Sequence, residues 1–141
     1  MDSTVTLMFF LAAVLIAGGI LFAIVAFSKG SPKSLKKDYY RSQWLTLESQ
    51  LRRDDRNSYT VCILNADKLL DKALRERGVK GQTMGERMKS YQDRWSNAQH
   101  VWTAHKMRNK LAHETDVTIE YDQARRALAA FKQGLRDVGA L

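Results

Sequence analysis

Cysteine and proline are almost missing from this sequence: Cys62 and Pro32 are the single instances among 141 residues. One thiol cannot close an internal disulfide, and no paired Cys or Cys/His spacing offers a zinc site. A reducing compartment fits this composition, and Cys62 reads as a small apolar residue on a buried helix face. Strand signal is nearly absent after Ser34, and no internal repeat or low-complexity tract occurs. The glycines from Gly78 to Gly85 lack phosphate-loop spacing, which disfavours a nucleotide triphosphatase, and no cofactor is implied.

Charge is also missing, entirely, from Val5 to Phe27, where Thr6 is the one polar side chain. A hydrocarbon core of roughly 30 Å needs about 20 residues at about 1.5 Å each, with every backbone amide satisfied internally, as a helix satisfies it. Residues 1–28 are therefore expected to form a transmembrane anchor. A cleaved secretory signal would want a positive start, a shorter apolar stretch and a small-residue cleavage site, whereas this terminus offers Asp2. Positive charge comes after the run instead, at Lys29, Lys33, Lys36, Lys37 and Arg41, opposed only by Asp38. The positive-inside bias then puts the rest of the chain in the cytoplasm, on the plasma or inner membrane, with the short N-terminus outside.

The whole chain carries 23 Lys and Arg against 15 Asp and Glu, net +8, and residues 1–28 contain only Asp2 among them. The excess belongs to residues 29–141. Such a field favours anionic partners, either RNA or anionic lipid headgroups meeting Lys29, Lys33, Lys36, Lys37 and Arg41. A solubilising surface combined with a topology signal explains part of it as well.

Residues 29–34 read as a linker and 35–141 as one all-α domain, a bundle of four or five helices. Leu35, Trp44, Leu45, Leu47 and Leu51 recur at helical spacing, which predicts a helix over 35–53. Tyr59, Cys62, Ile63, Ala66, Leu69, Leu70, Ala73 and Leu74 predict a second, stopped by Gly78. Thr83 and Glu86 form a capping-box pattern for a short helix to about Gln92. A fourth helix should start near Ser96 or Asn97 and run to about Ala112, and a fifth, capped by Thr118, should run from Ile119 to about Val138.

On the fourth helix Val101, Ala104, Met107 and Leu111 share a stripe, and Arg108 falls about 20° from Val101 on an ideal helix. A guanidinium beside an apolar seam demands a carboxylate, a phosphate or a partner chain to offset its desolvation. Trp102, His105, Asn109 and His113 would form an adjacent polar stripe.

Arg108, Asn109 and, five residues after the Arg, His113 at the helix end resemble the HEPN signature. Leu69-Leu70-Asp71-Lys72-Ala73-Leu74, followed by Arg77-Gly78 and Gly81, is also similar to bacterial HEPN-type domains. The resemblance covers about Trp44 to Leu135, with the apolar segment as an addition. It implies a four- or five-helix bundle, a homodimer with motifs meeting across its interface, and two functions. One is an interaction or dimerisation module of unassigned client. The other is a metal-independent endoribonuclease with Arg108, Asn109 and His113 as catalytic candidates. For the latter, imidazole supplies proton transfer and a fixed Arg stabilises charge on phosphorus oxygens. Against it, Arg108 and His113 lie about 140° apart on one ideal helix. His113 also reads as a histidine capping a helix C-terminus.

His100 and His105 read as surface histidines, and Trp44, Trp95 and Trp102 as core or dimer-interface anchors. Lys80, Arg87, Lys89 and Arg94 read as a solvated basic face or as phosphate contacts.

Overall fold

The computed structural model describes residues 2–27 and 33–141. The chain divides into two units, 1–32 and 33–141, and each is taken by itself. Six α-helices and one 3-10 turn, with no strand among the described residues, make the protein all-α.

Helix α1, Ser3–Phe27, is apolar around its whole circumference. Its segment Ser3–Ala26 has a mean hydropathy of 2.8 with none of it buried, so it is long and apolar enough to cross a membrane. Phe10, Leu15 and Phe22 stand 67%, 75% and 75% exposed. The expected lipid contact Lys29 and most of the 29–34 linker lie outside the described residues.

The second unit is a helical bundle. Helix α2, Lys37–Gln50, buries Tyr40, Trp44 and Leu47 at steps of four and three. It is shorter than the 35–53 that periodicity predicts. Leu35 is buried ahead of it, and Leu51 is extended at φ −75°, ψ 108°. The turn residues win there: Asp55 Oδ1 accepts from Asn57 N–H at 3.0 Å, and Ser58 Oγ donates to Asp55 O at 2.6 Å. Helix α3, Arg56–Glu76, therefore starts with a side-chain cap. It ends at Gly78, whose φ of +82° allows Val79 N–H to reach Leu74 O at 3.0 Å.

Helix α4, Met84–Ser90, carries the expected capping box. Glu86 N–H donates to Thr83 Oγ1 at 3.2 Å, and the Glu86 carboxylate accepts from Thr83 N–H at 3.4 Å. It stops short of Gln92, and a 3-10 turn covers Gln92–Arg94. Helix α5, Ala98–His113, is capped by Asn97, whose Oδ1 accepts from His100 N–H at 3.1 Å.

Helix α6, Tyr121–Val138, starts later than expected, and its cap residue is Glu120 rather than Thr118. Glu120 N–H donates to Gln123 Oε1 at 2.8 Å. Ile119, 7% exposed, joins the core from outside the helix, which moves the start beyond it.

Helix α3 is the central element. Its Ile63, Leu70 and Leu74 are fully buried with Tyr40 of α2 and Phe131 and Leu135 of α6. Burying each such side chain favours folding by about 1.5–3 kcal/mol before entropy is counted. Gly134 allows α6 to approach, since a Cβ there would stand 3.1 Å from Leu70 Cδ2 and 3.3 Å from Val101 Cγ2. Cys62 is fully buried and its thiol donates to Leu47 O at 3.6 Å, as its apolar setting suggested.

Candidate functional site

Among the described residues the most buried polar side chain, Asp67, lies where α3 faces α5. Asp67 sits among the apolar positions Ile63, Ala66 and Leu70 of α3 and is 3% exposed, while His105 of α5 is 8% exposed. A carboxylate so placed needs partners, because an unpaired buried charge is strongly destabilising.

Two residues of α5 meet it. Asp67 Oδ1 lies 2.8 Å from His105 Nδ1, and Asp67 Oδ2 lies 3.1 Å from Arg108 Nε. The second contact is an ion pair rather than a hydrogen bond, since the Nε–H finds no well-directed acceptor. Arg108 also donates from Nη1 to Asn109 Oδ1 at 2.9 Å, and Asn109 Nδ2 lies 3.3 Å from His105 Nε2. Four side chains thus close a ring: Asp67, His105, Asn109, Arg108 and back to Asp67.

Chemistry sets the proton positions in this ring. Arg only donates, so the Asn109 oxygen faces Arg108 and its amide nitrogen faces the imidazole. Asp67 only accepts when ionised, so His105 Nδ1 carries the proton and Nε2 accepts from Asn109. Neither ring nitrogen is left free to take a proton from a substrate. His105 is accordingly no surface histidine; its burial and its partner 38 residues away correct that reading.

A second pair lies beside the first. Arg87 of α4 is 7% exposed, with Nε and Nη2 at 2.8 and 2.7 Å from Asp71 Oδ1, and its Nη1 donates to Gly81 O at 2.6 Å. Arg87 therefore ties α4 to α3 and does not belong to a solvated basic face. Between these pairs α3, α4 and α5 enclose a cleft of about 610 Å³, bordered by Trp102, Lys68 and Lys106. Trp102 is half-buried and donates from Nε1 to Gln92 Oε1 at 2.9 Å. Trp44 and Trp95 are core residues.

Compared with family models, curated proteins and solved structures, the chain matches none. The geometry therefore stands by itself.

Of the three residues singled out from the motif, Arg108 and Asn109 are brought together and His113 is not. His113 is exposed at the last residue of α5, and its side chain makes no hydrogen bond among the described residues. The seam position of Arg108 demanded a carboxylate, a phosphate or a partner chain, and the Asp67 carboxylate meets it. Sequence reasoning missed Asp67 and His105. A signal existed: each is a polar residue bordering an apolar stripe, His105 about 40° from Val101 and Asp67 about 40° from Ile63 on ideal helices.

Proposed function

We propose that this protein is a membrane-anchored HEPN-like interaction module: α1 crosses the plasma or inner membrane with its N-terminus outside, and the helical domain pairs with a second copy in the cytoplasm. One observation carries the anchoring. Over 24 residues α1 presents uncharged apolar surface on every side, with no protein covering it, and lipid is the solvent that accepts such a surface.

A module is favoured over a nuclease by what Arg108 touches. Its guanidinium is held against the buried Asp67 carboxylate and Asn109, and His105 Nε2 is occupied by Asn109. A carboxylate at that place repels the phosphate that a catalytic Arg would have to meet. For pairing with a second copy, α5 and α6 frame a groove of about 790 Å³ floored by Ala104, Met107, Ala127, Ala130 and Gly134.

Carbonate extraction of membranes containing the full chain should leave it in the pellet. Protease added outside intact cells should spare the C-terminal domain, and detergent-solubilised protein should have the mass of two chains. Carbonate release or digestion from outside rejects the anchor or its orientation, and a single-chain mass rejects the pairing. RNA cleaved by the full chain but not by His113→Ala would replace the module with the ribonuclease.

A further inference from the structure

The positive charge of the domain is collected at one end. From Lys33 to Leu141 the chain holds 22 Lys and Arg against 14 Asp and Glu, net +8. Residues 33–41 and 72–80 together hold eight of those cations and only two carboxylates, Asp38 and Glu76, so +6 of the +8 lies in two short stretches.

The fold places these stretches side by side. The start of α2 runs antiparallel to the end of α3: Arg77 Nη1 donates to Lys33 O at 3.3 Å, Tyr40 Oη to Glu76 Oε2 at 2.7 Å, and Lys72 Nζ to Tyr39 Oη at 3.0 Å. Glu76 is engaged by Tyr40 and Lys72, and Arg75 by Asp71. Lys33, Lys36, Lys37, Arg41, Arg77 and Lys80 form no ion pair among the described residues, and all but the half-buried Arg77 are exposed. The Arg77 Nε–H finds no acceptor.

The opposite end lacks this excess. There residues 114–122 carry four carboxylates and no Lys or Arg, and this segment lies beside the first turn of α3, with Glu120 3.7 Å from Arg56 and Arg53 and Arg125 over the Tyr121 ring. The 21 residues of α3 hold the two ends roughly 30 Å apart. That exceeds the Debye length of about 8 Å at physiological salt, so the carboxylates of 114–122 do not cancel the field at the basic end. The basic end is also where the chain enters the domain, six residue steps after α1 stops at Phe27.

We infer that the α2 start and the α3–α4 turn together form a docking surface for an anionic lipid leaflet, with Arg77 and Lys80 supplying contacts that the juxtamembrane segment alone lacks. The inference rests on the anchored reading of α1. A leaflet fits better than a compact ligand, because the six cations are spread over an open surface at the end that the anchor tethers. Tethering raises the local concentration of headgroups, and near-surface Lys and Arg then act additively.

The test uses the full chain in nanodiscs of phosphatidylcholine, with and without phosphatidylserine, and lysine acetylation read by mass spectrometry. Lys36, Lys37 and Lys80 should be protected in the anionic discs and exposed again at high salt, while Lys110 at the opposite end reacts equally in both. Lys80→Gln should weaken the docking equilibrium by about fivefold, read as renewed labelling of Lys36. Equal labelling of Lys80 in both discs overturns the inference, as does protection of Lys110 alongside it. Failure of the chain to enter either disc removes the anchor itself, a separate outcome.

Discussion

Asp67 and His105, 38 residues apart in the chain, meet with Oδ1 2.8 Å from Nδ1, both nearly shut off from water. The contact joins α3 to α5 and orients the imidazole, whose other nitrogen then holds Asn109 and, through it, Arg108. Asp67→Ala leaves an Arg and a His facing a void without their acceptor. It should destabilise the domain by about 2–4 kcal/mol. Denaturant unfolding followed by tryptophan fluorescence measures this, with Arg108→Met costing less because Arg108 keeps 26% of its side chain in solvent. An Asp67→Ala protein as stable as the parent would mean that the ring holds nothing together.

Gly81 occupies φ +148°, and a Cβ there would come 2.6 Å from Arg87 N and 2.9 Å from Glu86 C. Backbone rather than a movable side chain stands in the way. Gly81→Ala is expected to cost about 1–3 kcal/mol and to loosen the Arg87 contact with Gly81 O. Amide exchange across Met84–Ser90 should accelerate in this variant, whereas Gly85→Ala, whose Cβ would meet only Thr83 Oγ1 at 4.0 Å, should leave that exchange nearly unchanged.

Glu48 and Lys132 link α2 to α6 at 2.6 Å. The hydrogen bond from Lys132 holds the Glu48 carboxyl below its usual range, against the opposing effect of burial. A carboxyl depressed in the folded state adds stability above its unfolded value and loses it as pH falls through the lower folded one. Both side chains are about a third or more exposed, so the effect is small, below about 1 kcal/mol. Glu48→Gln should therefore be slightly less stable than the parent at about pH 7, and the two should converge as acid protonates the Glu48 carboxyl of the folded protein. A gap that persists in acid would assign the effect to packing.

Local features of this protein were legible because their causes are local. The apolar run became α1, the Thr83–Glu86 spacing became a capping box, and Gly78 stopped α3 through a positive φ. Errors arose where local signals competed. Leu51 continued the apolar periodicity of α2 while the Asp54–Asp55 doublet ended it, and Thr118 was a good cap that lost to the burial of Ile119.

The sequence by itself determined an uncharged span, an all-helical domain and the amount of excess positive charge, since each depends on composition or on spacing within one helix. Only the tertiary structure decided that Arg108 faces Asp67 instead of solvent, that His105 and Arg87 are buried, and that residues 33–41 and 72–80 share one basic end. Those outcomes depend on which helix faces lie against each other, and a side chain's partner across an interface leaves no mark on the periodicity of its own helix.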